Sequence, residues 1–160
     1  MKVAMAKRFI GAFAKEAAAL GFVKELKEWK NAGDPCSFLT FGKDVRTKVP
    51  IGHDFDYLNH VHLMPPDNNK IPEDVLRLNR WLNNYYASST SQRCSRSSDL
   101  ILYYAGYKED MILLAVDTHA AMSASGVSVM CELADKWVRA KKAAELAAKA
   151  AAKAAANTST

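Results

Sequence analysis

At 160 residues, 49% hydrophobic and 24% charged, the chain has material for one domain with its own core, which excludes a stapled miniprotein. Lys and Arg exceed Asp and Glu by 22 to 17, a net +5 that is compatible with a nucleic-acid partner without requiring one. No apolar run nears the roughly 20 residues of a membrane span. Lys15 and Glu16 interrupt the basic, Ala-rich start before a signal-peptide core forms, so a cytoplasmic protein in solution is expected.

In chain order, residues 2–9 can open as a short strand. From about Ile10 to Asn31, Phe13, Ala17, Leu20, Val23, Leu26 and Trp29 recur at helical steps, and "NAGDP" stops the helix. The segment 37–54, with Gly42, Pro50 and Gly52, reads as a turn-rich connection carrying Lys43, Arg46 and Lys48. A strand over about 57–63 follows, closed by Pro65 and Pro66. Residues 71–86 read as a helix whose first turn holds Pro72, Glu73 and Asp74. A polar stretch leads to two apolar runs, 99–107 and 110–119, and the short "KED" between them predicts an antiparallel hairpin. Helical periodicity returns after Gly126 with Val129, Leu133 and Trp137. Residues 140–160 form an Ala/Lys-rich tail with almost nothing large to bury, read as helical or disordered and ending its helix at Asn157.

The sum is α+β: a small, mostly antiparallel sheet with N-terminal helices on one face and a C-terminal helix. Cys36, Cys94 and Cys131 are odd in number and widely spaced, so neither a disulfide framework nor a zinc motif is expected, and a reducing compartment fits.

Within this pattern "FGKD" at 41–44 precedes "HVHL" at 60–63, and "NN" with a nearby proline follows at 68–72. "RSSDLILYYAG" at 96–106 then leads into "ILLAVDTH" at 112–119. In that order, across roughly residues 2–139, the motifs resemble the YafO family of toxins from bacterial toxin–antitoxin pairs. Members of that family read close to "FGRD", "HIHLA", "R-T-N/S-D" with "LVY" and a glycine, then "LLIAIL" and a histidine. The resemblance implies a curved antiparallel sheet of the RelE/ParE kind. It also implies cleavage of mRNA on the translating ribosome without a cofactor, and a cognate antitoxin as partner.

Such cleavage makes the substrate's own 2′-hydroxyl the nucleophile and needs a base, an acid and a cation. His62 and His60, on one side of an extended strand, are the expected proton-transfer residues, since an imidazole titrates near neutral pH. His119 is carried over from the family's last motif, and a residue that merely starts a helix would look the same. Arg96, with Arg93 in reserve, is the expected phosphate clamp. Tyr103 or Tyr104 would stack on a base or position the 2′-hydroxyl, alternation leaving only one of them on the site's face. Lys43, Arg46, Lys48 and Lys108 are expected to hold RNA phosphates.

Two other readings use the same residues. His60, His62 and His119, with Asp117 nearby, suit a metal-dependent hydrolase. A basic domain that only docks on ribosomal RNA would show the same charges. Tryptophans 29, 81 and 137 fall on apolar helix faces and are assigned to packing.

Overall fold

Strands pair into one open five-stranded sheet in the computed structural model, which describes residues 1–119 and 124–157. At one edge β1 (Val3–Met5) runs parallel to β5 (Asp110–Thr118). Antiparallel partners follow in the order β4 (Leu100–Tyr107), β3 (Tyr57–Leu63) and β2 (Phe41–Arg46). The helices are α1 (Lys7–Ile10), α2 (Glu16–Asn31), α3 (Pro72–Tyr85), α4 (Thr90–Cys94) and α5 (Ala124–Asn157), and the architecture is α+β. None of them is long and apolar enough to cross a membrane.

The period-two pattern of the strands makes two cores. Val61, Leu102, Tyr104 and Leu113 point to one side and meet Phe9 of α1 with Val23, Leu26 and Trp29 of α2. Leu58, Ile101, Tyr103 and Leu114 point to the other side and meet Met130, Cys131, Ala134 and Val138, an i, i+1, i+4, i+8 stripe on α5. A register shift between Tyr103 and Tyr104 keeps both β4 faces aligned with β5. Past residue 139 the Ala-rich part of α5 lacks apolar anchors, and its first turns are tied down by charge. Lys141 pairs with Asp110, Lys142 with Asp54 and Glu145 with Lys108. The helix then runs on, exposed, to Asn157.

Five sequence expectations change. The helix expected from Ile10 to Asn31 begins only at Glu16, because the chain turns at 11–15, and of the strand expected over 2–9 only Val3–Met5 pairs, α1 taking its end. The connection expected at 41–46 is an edge strand, β2, bulged between Phe41 and Asp44. Gly42 sits in that bulge where a Cβ would lie 2.3 Å from the Arg96 carbonyl oxygen, so only glycine lets the two backbones meet. The polar stretch before β4 contains the short α4. Cys36 and Cys94, 58 residues apart in sequence, form a disulfide with their Cα atoms 4.9 Å apart, which cysteine spacing alone does not reveal. Closing a loop of that length stabilises by about 2–4 kcal/mol. Cys131 is free and buried on the core face of α5.

Candidate functional site

β3 carries His60 and His62 on the same side, and the sheet places Tyr103 opposite His60 and Ile101 opposite His62. β5 ends at Thr118, and the next residue, His119, is held by its N–H donating to the Asp99 carbonyl, 3.0 Å. The three imidazoles thus meet from two strand ends. Ring centroids are 5.5 Å apart for His60 and His62, 5.3 Å for His60 and His119, and 5.1 Å for His62 and His119. His62 is buried at 8% exposure, His60 is half-buried and His119 is exposed, so the cluster runs from the core to the surface. Tyr103 packs against His60 with centroids 5.6 Å apart.

Two residues the sequence reading did not single out fix the rings. The Ser98 backbone meets Nδ1 of His62 with both its carbonyl oxygen, 2.7 Å away, and its N–H, 3.1 Å away; in the tautomer that carries the proton on Nδ1 the carbonyl accepts it and the Nε2 lone pair is free. Thr47 Oγ1 lies 3.0 Å from Nδ1 of His60. Thr47 is placed by its own N–H donating to Leu58, which extends the β2–β3 ladder. Ser98 stands inside the quoted "RSSD", so the motif that located the arginine also contained the histidine's partner.

Burial pushes the pKa of both His60 and His62 below the ordinary value of 6.5. For His60, the charges of His62, His119 and Lys43 push the same way and Asp44 opposes them. For His62, His119 and Lys43 again depress, while the Ser98 backbone and Asp99 oppose. Both rings are therefore neutral at pH 7 and able to accept a proton. The unfolded chain takes up protons at these positions from about pH 6.5 downward, and the folded chain only at lower pH. Stability is thus full above about pH 6.5 and falls as pH drops through the folded values. We expect a lower urea midpoint at pH 5.5 than at pH 7.5, with the difference reduced in a His60→Gln, His62→Gln double variant. A further loss follows below about pH 3.8, where Asp54, Asp110 and Asp117, held low mainly by bonds to Lys142, Lys141 and Arg8, finally protonate.

The expected clamp is not at this site. Arg96 is 1% exposed, and its guanidinium lies over the rings of Trp81 and Tyr85, 5.1 and 4.8 Å from their centroids. Its Nη2 sits 2.6 Å from the Phe38 carbonyl oxygen, 2.5 Å from that of Phe41 and 3.3 Å from that of Cys36. Nε and Nη1 are buried without a hydrogen-bond partner among the described residues. The reason lies in the irregular backbone from 35 to 41, where Cys36 and Phe41 are buried and the carbonyls are met by donors from neighbouring elements. Trp29 Nε1 serves Pro35, Tyr85 Oη serves Ser37, Trp81 Nε1 serves Leu39 and the Met64 N–H serves Thr40. Arg96 serves Cys36, Phe38 and Phe41, and the Cys36–Cys94 bond ties the same loop to α4. The arginine is a structural pin.

Tyr104 is likewise displaced. It is fully buried on the opposite face from the histidines, donating to Asp44 (2.6 Å) and accepting from Lys30 and Asn59. Burial and the adjacent carboxylate drive its pKa upward, out of reach of acid–base work. Arg93, half-buried on α4, donates to Thr90 and lines a cleft with the disulfide and not with the histidines. Lys108 sits in the β4–β5 turn, paired with Glu145, roughly 20 Å along β4 from the His62 end at about 3.3 Å per residue. Arg46 and Lys48 are exposed on either side of Thr47. Asp117 pairs with Arg8 at 2.8 Å and is not part of the imidazole cluster. Of the expected cations only Lys43, exposed on β2, exerts its charge on both His60 and His62.

Compared with protein-family models, with curated proteins and with solved structures, the chain matches none of them.

Proposed function

We propose that this protein is the toxin of a bacterial toxin–antitoxin pair and that it cuts messenger RNA on the ribosome. The observation that carries the reading is the convergence of His60, His62 and His119 beside Tyr103, together with the order of motifs resembling the YafO toxins. In the step we infer, Nε2 of His62 takes the proton of a 2′-hydroxyl. The 2′-oxygen attacks its own phosphorus, the P–O5′ bond breaks, and a 2′,3′-cyclic phosphate forms. A second imidazole, in its protonated form, supplies the proton to the leaving 5′-oxygen. His119, exposed at the rim and stacked on His62, is assigned that role, with His60 beside both rings. Tyr103, buried in the core rather than open to stack on a base, backs His60, and Lys43 supplies the positive charge expected of an arginine.

The site is sparse, so the ribosome is assigned much of the work of orienting the message, a large part of any rate enhancement. Arg46 and Lys48, flanking Thr47, are assigned to phosphates of the RNA. A cognate antitoxin that covers this face and a cytoplasmic location belong to the same reading. In that compartment the Cys36–Cys94 pair would form under oxidation, as thiol pairs that sense it do.

One observation favours a second reading. With Arg96 enclosed, the described residues bring no guanidinium into the histidine cluster, which suits a domain that blocks translation by occupancy alone. Induced expression followed by mapping of mRNA 5′ ends separates the two. Cuts at fixed codon positions in ribosome-bound message, with naked RNA a poor substrate, are the expected result. Translation arrest over intact message would favour the binder and overturn the nuclease.

A further inference from the structure

We propose that His60, His62 and His119 are also the ligands of a late first-row divalent cation, Zn²⁺ foremost, and that occupancy silences RNA cleavage. The silencing clause rests on the nuclease reading; the metal site does not. Each ring offers one nitrogen, and the three nitrogens lie within 4.8 Å of one another. Tetrahedral zinc with Zn–N of about 2.0–2.1 Å needs ligand nitrogens about 3.3 Å apart. Closing that gap takes ring rotations of an ångström or so, which the exposed His119 can supply. The surroundings are those of a metal-binding imidazole set. A ligating histidine is aligned by a hydrogen bond to its other nitrogen, and here the Ser98 carbonyl and Thr47 hydroxyl hold Nδ1 of His62 and His60.

The donor set specifies the metal. Three imidazole ligands without a carboxylate favour zinc, cobalt, nickel or copper and not magnesium or calcium. Among the described residues this is the group of His, Cys, Asp and Glu side chains close enough to share one ion. Three protein ligands leave a fourth position for water. Silencing follows from counting lone pairs: a nitrogen that donates its pair to the metal cannot accept the proton of a 2′-hydroxyl.

Tag-free, full-length protein is titrated with Co²⁺, watched by the visible absorption of four-coordinate cobalt, and then challenged with Zn²⁺. We expect one Co²⁺ per chain, displaced by Zn²⁺. Affinity should fall at least about 100-fold in His62→Gln and in His119→Ala, since losing even a supporting contact costs 10–100-fold. His53→Gln, whose ring pairs with Asp135 elsewhere, should bind as the parent does. His119→Ala keeps the test meaningful if His62→Gln does not fold, because His119 is at the surface. In a translating extract, zinc-loaded protein should cut message at least tenfold more slowly than chelator-treated protein. No cobalt signal, or one indifferent to both variants, overturns the metal site and leaves the nuclease standing. Equal cleavage by the two forms overturns silencing, and cleavage only when loaded overturns the metal-free scheme while keeping the ligands. If neither form cuts, the nuclease reading and the silencing fall together, and the site is decided by the titration.

Discussion

Replacing Arg96 with alanine lowers stability by about 3–5 kcal/mol, read as a shift in urea midpoint, because buried carbonyls lose their donor and two rings lose the plane between them. Arg96→Lys recovers little, since an ammonium cannot lie flat between Trp81 and Tyr85 or reach three oxygens at once. The outcome distinguishes two roles that one motif would predict alike. A phosphate clamp removed from a surface leaves a folded and inactive protein. A pin removed from the loop at 35–41 leaves a protein that unfolds early whether or not RNA is present. Unchanged stability with lost activity in Arg96→Ala would overturn the assignment made here.

The second large effect concerns chemistry alone. His62→Ala is expected to reduce cleavage of ribosome-bound message by 10²-fold or more, the usual contribution of a positioned acid or base. Ribosome binding, measured by co-sedimentation, should be retained. His119→Ala should fall in the same range if it protonates the leaving oxygen, with less cost to folding because its ring is exposed. Ser98 acts on His62 only through its backbone, so Ser98→Ala should leave that hydrogen bond in place. Parent-level cutting by both histidine variants would leave the cluster without a catalytic role. Loss of ribosome binding in His62→Ala would assign it to docking.

These expectations differ in how much of their basis could be read from residue order. Residue patterning was enough for β3, the β4–β5 hairpin, α3 and the first turns of α5, where apolar residues alternate, run together between turns or recur at helical steps. It was not enough for β2, whose polar residues read as a loop because an edge strand exposes one side to water. The break at 11–15 was hidden for a related reason: apolar residues on either side keep helical spacing across a turn. The disulfide was illegible because it depends on two loops, 58 residues apart, arriving at the same place.

The candidate site divides in the same way. One strand with histidines at i and i+2 must present both on one side, so residue order alone determined that His60 and His62 are neighbours. It also determined that only one of Tyr103 and Tyr104 could join them. Which tyrosine it was, that His119 closes the cluster, and that Arg96 turns inward to a carbonyl-rich loop were decided by tertiary structure. Strand pairing chose Tyr103 over Tyr104, and the end of β5 delivered His119. The carbonyls of Cys36, Phe38 and Phe41 converge on one point and are met by a donor with a flat, permanently charged end. An arginine in a polar loop looks the same in sequence whether its partner is a phosphate or a backbone carbonyl, and only the packed loop distinguishes them.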